Sequence, residues 1–235
     1  MIINNKKQSG FTIIELMIAI SILSILLLAS AVVMLNIGSL YAKGVDATTV
    51  QNDSRNVIQS IASSIQFNYL SGSQINSGSQ RYYSSTGTSY TVYAYCIGYT
   101  RYSYIIGFPD NSNTFAHTIW KDTMRYQGAC KPLNILIPTP NCIGSSNCIA
   151  SATGSGSDLT NSNMHLASLS INSNPNYPQL YSISIGLAYG LKDMFNVNSS
   201  GTLVTTDGNY VCGNRTSERY CATSSLETTV VQRIN

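Results

Sequence analysis

Lys6-Lys7-Gln8-Ser9-Gly10-Phe11-Thr12-Ile13-Ile14-Glu15-Leu16 joins a short basic leader, a glycine and the start of a long apolar run that carries one acid. From Leu16 to Leu35 there are 20 residues without a charge, enough to cross a bilayer as a helix. A carboxylate at the centre of such a span costs about 2.5–3.5 kcal/mol, and less toward the interface. Glu15 therefore needs a partner. A removable secretory signal also begins with basic residues and an apolar segment, and Ala29-Ser30-Ala31 fits its small-x-small cut site. The apolar run continues past that point through Val32, Val33, Met34 and Leu35, and an acid is foreign to a signal core. The segment is expected to stay in the mature chain as a helix.

The residues Gly10-Phe11-Thr12-Ile13-Ile14-Glu15 closely resemble the processing site of type IV prepilins and type II secretion pseudopilins. The resemblance covers about a tenth of the chain. It implies that a prepilin peptidase cuts between Gly10 and Phe11 and that Phe11 is then N-methylated. Glu15 becomes the fifth residue of the mature chain and pairs with the amino terminus of a neighbouring subunit. Electrostatics agrees, because an amine and a carboxylate that meet between helices in lipid each lower the other's penalty. The implied partners are other pilin subunits, an inner-membrane pilus assembly platform and the membrane itself.

Composition fits a chain whose bulk lies outside the cytoplasmic membrane. Charged residues make up 10% of the sequence, against roughly 25% in ordinary soluble proteins. Loss of the leader leaves 11 of the 13 basic residues against 10 acidic ones, so no strong nucleic-acid signal remains. Lys6 and Lys7 hold the N-terminus on the cytoplasmic side by the positive-inside rule. Six cysteines in an exported domain point to disulfides. Proximity pairs Cys212 with Cys221 and Cys142 with Cys148, leaving Cys96 and Cys130, one of 15 connectivities. Many pilins close a late loop with a cysteine pair, and the resemblance gives Cys212 and Cys221 that role.

Beyond Asn36-Ile37-Gly38 the pattern turns amphipathic, with Val57, Ile58, Ile61 and Ile65 on one helix face. No proline occurs between Phe11 and Tyr69, so a single helix of roughly 55 residues is expected, ending near Leu70-Ser71-Gly72-Ser73. Serine, glycine and threonine then run to Ser89 without strand periodicity. Strand chemistry follows at 90–99, 101–108, 118–126, 134–137, 166–171, 181–189 and 227–234. Pro109 to Asn113 reads as a turn, and Cys142 to Asn163 as a long polar loop. The expected fold class is α+β, the pilin fold, with the long helix packed on an antiparallel sheet. Its parts are a leader (1–10), a membrane or filament-core helix (11–36), an amphipathic half (37–70) and an extracytoplasmic β-rich domain (71–235).

No catalytic, cofactor-binding or metal constellation stands out. His117 and His165 lack ligand spacing, and Asp207-Gly208-Asn209 supplies at most part of a calcium set. Eight of the 16 tyrosines fall between Tyr82 and Tyr104, where they read as half-buried sheet residues or as a sticky face. The expectation is a non-enzymatic filament subunit. A minor pilin is favoured by a mature chain longer than that of a typical major pilin, and by the amphipathic stretch Gln51-Asn52-Asp53-Ser54-Arg55. A J-like pseudopilin and a membrane-anchored extracellular adhesin are the alternatives.

Overall fold

One uninterrupted helix, α1 (Ile13–Phe67), runs for 55 residues, about 80 Å at 1.5 Å per residue. It belongs to a computed structural model that describes residues 10–67, 75–83, 89–108, 118–124, 129–133, 156–161, 163–198, 203–213 and 221–233. The expected stop at Leu70–Ser73 and the strand at 134–137 lie outside these residues, as do the turn at 109–113, His117 and the Cys142–Cys148 pair. The chain divides into two compact units, Met1–Ala42 and Lys43–Asn235.

In the second unit the helix buries Val50, Val57, Ile58, Ile61 and Ile65, together with Asp53, Ser54 and Ser64. That is the amphipathic stripe of the sequence, and it packs on antiparallel sheets. Five strands form the first sheet in chain order: β1 (Asn76–Tyr83), β2 (Ser89–Ile97), β3 (Thr100–Tyr104), β4 (Ile119–Thr123) and β5 (Ser157–Asp158). The second sheet is three-stranded: β6 (Met164–Ser173), β7 (Leu180–Tyr189) at its centre and β10 (Ala222–Val231). A small hairpin pairs β8 (Thr205–Thr206) with β9 (Asn209–Tyr210). The helix stripe shares one core with Ile97, Tyr102, Tyr104 and Ile119 of the first sheet and with Leu166, Ile183, Ile185, Leu187 and Val230 of the second.

Polar groups fix how the helix seats. Tyr102 is fully buried, and its hydroxyl donates to the Ser60 carbonyl at 2.8 Å and lies 2.7 Å from Ser64 Oγ. Lys121 Nζ donates to Ser60 Oγ at 3.0 Å. Buried Asp53 accepts from the Asn161 backbone N–H and from Asn161 Nδ2, both at 2.9 Å. A buried carboxylate is tolerated only when its lone pairs are met, and Asn161 meets them.

The expected α+β arrangement, one long helix packed on antiparallel strands, is what the structure shows, with the strands divided among several sheets. Three expectations about individual elements need correction. The serine-rich stretch before Ser89 contains β1, which pairs with β2 from Asn76↔Cys96 to Tyr83↔Ser89. The strand expected from Glu227 begins at Ala222, since Ala222, Ser224 and Leu226 already alternate inward against β7. The polar loop read from Cys142 to Asn163 also holds a short strand, β5, on the edge of β4.

The face of the first sheet turned away from α1 is crossed by residues 129–133. Cys130 is bonded to Cys96 on β2. Arg101 Nη1 donates to the Lys131 carbonyl at 2.8 Å, Tyr82 Oη to the Pro132 carbonyl at 3.0 Å, and Leu133 N–H to Ser103 Oγ at 2.9 Å. Beneath this strap Tyr90, Val92, Ile105 and Leu133 form a second, smaller core. Asp122 holds Arg101 through two hydrogen bonds, at 2.6 and 3.0 Å.

Candidate assembly and processing site

The residues singled out in the opening stretch gather at the start of α1. Gly10 is exposed with open space around it, and Phe11 is 87% exposed. Thr12 and Glu15 form a capping box. The Thr12 N–H and Thr12 Oγ1 both donate to Glu15 Oε2 at 3.1 Å, while the Glu15 N–H donates to Thr12 Oγ1 at 3.3 Å. The acid thus sits in the first helical turn, where the backbone N–H groups left without intrahelical acceptors favour a negative charge. Thr12 went unnoticed in the sequence although its signal is there: Thr-x-x-Glu before an apolar run is the capping-box signature. C-terminal to the box, the large apolar side chains from Leu16 to Leu35 are exposed on every side of the helix. The helix is long and apolar enough to cross a membrane.

The other residues considered from sequence stand apart from this segment. Disulfides join Cys96 to Cys130 and Cys212 to Cys221. His165 is buried on β6 with its ring 3.8 Å from that of Phe108, and burial lowers its pKa to about 4, opposed by a hydrogen bond that the ring donates to the Gly190 backbone. An imidazole held neutral among aromatic rings is a packing residue. Asp207 and Gly208, both at positive φ, make the turn of the β8–β9 hairpin. Among the described residues, no group of three or more His, Cys, Asp or Glu side chains is placed to hold a metal ion. Of the clustered tyrosines, Tyr90, Tyr102 and Tyr104 are buried. Tyr93 and Tyr95 are half-buried and stack on Tyr104, each with centroids 5.6 Å from it. Burial pushes the Tyr104 hydroxyl pKa up, and the neighbouring tyrosines add to the shift.

The prokaryotic N-terminal methylation motif matches residues 5–31. This segment contains the leader lysines, Gly10, Phe11, the capping box and the exposed apolar run as far as Ala31. No match was found among curated proteins or among solved structures. The motif supports a prepilin-like chain of the type IV pilin or pseudopilin kind, a class of structural subunits that are processed by a prepilin peptidase and assemble with other pilins. The apolar helix and the motif together point to membrane anchoring and filament assembly.

Proposed function

We propose that the chain is a minor pilin of a type IV pilus. A prepilin peptidase cuts between Gly10 and Phe11, Phe11 is N-methylated, and the mature helix bundles with those of other subunits. Glu15 sets the axial register by meeting the Phe11 amine of a neighbour. The observation that carries this reading is the methylation motif on residues 5–31, placed at the head of a helix whose first half is exposed and apolar all round. The amphipathic stretch Gln51-Asn52-Asp53-Ser54-Arg55 favours a minor subunit over a major one.

Three measurements test it. The N-terminal peptide of the chain recovered from membranes should begin at Phe11 and carry one methyl group on its amine, and a chain starting at Val32 would end the proposal. Glu15→Ala should still be cleaved but should lower incorporation into filaments at least about tenfold, because the amine loses the only acid in the apolar segment. Low abundance in sheared surface filaments is expected of a minor subunit. High abundance would make it the major one, and its presence only in secretion-linked filaments would make it a pseudopilin.

A further inference from the structure

β1 is a strand that its own residues do little to hold. Asn-Ser-Gly-Ser-Gln-Arg-Tyr-Tyr offers no apolar alternation, and none of its described side chains, which are those of residues 76–82, joins the core under α1. Among them the apolar packing comes from Tyr82, which lies against the small core beneath the strap. Two further features tie β1 to the strap. Tyr82 donates its hydroxyl to Pro132, and Gly78 lies so close under the Cys130 carbonyl that a Cβ there would collide with it. Among the described residues, the strap's covalent tie to the sheet is Cys96–Cys130, a bond between positions 34 apart in sequence.

The strand that β1 covers is of the opposite kind. β2 reads Ser-Tyr-Thr-Val-Tyr-Ala-Tyr-Cys-Ile, uncharged, aromatic and β-branched, without proline. A strand of that composition with a bare edge is a template for pairing with other chains. β1, with its glycine, serines and Arg81, is a poor template by the same rules.

We propose that the Cys96–Cys130 bond is a redox latch for β1. Closed, it clamps the strap and, through Tyr82 and Gly78, keeps β1 laid along the edge of β2. Open, it frees β1 and bares β2 to strand pairing with another chain. Closing the latch moves two electrons and two protons from the thiols of Cys96 and Cys130 to a disulfide donor, which leaves as its dithiol. A reducing compartment keeps the latch open and an oxidising one shuts it. The device is independent of how the apolar helix assembles.

The test uses the full chain in detergent micelles, with amide hydrogen exchange read strand by strand. In Cys96→Ser/Cys130→Ser, protection across β1 should fall at least about tenfold, while β6, β7 and β10 change by less than about threefold. Cys212→Ser/Cys221→Ser should leave β1 protected. Should the first variant not fold, a phosphine reductant added to the folded wild-type chain must open β1 ahead of β7. Gly78→Val, which keeps the bond but drives a side chain into the strap, should loosen β1 as well. Unchanged β1 protection without the bond would overturn the latch. So would equal loss in every strand, which would make the bond a staple of the whole domain.

Discussion

Between Leu16 and Leu35 α1 is apolar on every side, and its large side chains stay exposed. Between Val50 and Ile65 the apolar side chains fall on one face and disappear into a core. One helix thus carries two kinds of surface. The one-sided stripe has found its partner within the chain, in two sheets that converge on it. All-round apolarity has no such partner among the described residues, and the cover that suits it is lipid or other helices. The same backbone geometry serves folding in one half and association in the other.

The comparison can be broken by substitutions on either side of it. Ile61 is fully buried, and Ile61→Ala should destabilise the second unit by about 2–5 kcal/mol, read from chemical denaturation in detergent. A loss below about 1 kcal/mol would mean that the stripe is not what holds helix to sheets. Acid should separate the halves next. His165 is held neutral when folded, with its pKa lowered to about 4, whereas the unfolded chain takes up a proton near its ordinary 6.5. Its contribution is therefore complete above pH 6.5 and is lost as the pH falls toward 4, by roughly 3 kcal/mol in all. Circular dichroism and tyrosine fluorescence should show the sheets melting while the apolar half stays helical. His165→Phe should flatten that window, because the stacked ring remains and the titration goes. The smallest effect is the most telling: Leu27, 61% exposed, should tolerate Leu27→Ala with a change in unfolding free energy of less than about 0.5 kcal/mol. A larger loss would show that the first half has a partner in its own chain after all.

What could be read from the sequence follows the same division. The helix was legible throughout, since the absence of proline and the stripe at Val57, Ile58, Ile61 and Ile65 are local facts that tertiary structure had no reason to override. The central strands were legible because β-branched and aromatic residues alternate in them. β1 was not legible, because what makes it a strand is the edge of β2 on one side and the strap over Gly78, neither of which is written in its own eight residues. β10 was half legible. Its Val-rich end carries strand propensity, whereas Ala222, Ser224 and Leu226 face inward only because β7 fixes the register. At the candidate site Glu15 stood out by its cost in an apolar run, while Thr12, inexpensive anywhere, did not.

The Thr12–Glu15 cap has one more consequence. Both donors from Thr12 end on Oε2, and among the described residues Oε1 receives no hydrogen bond. The carboxylate is therefore bivalent: one oxygen closes the first turn of its own helix, and the other is left for a donor from outside. In the proposed assembly, a subunit built this way would form its new contact without giving up the old one. The helix end would not need to fray as the neighbour docks, and no docking energy would go into reopening the cap.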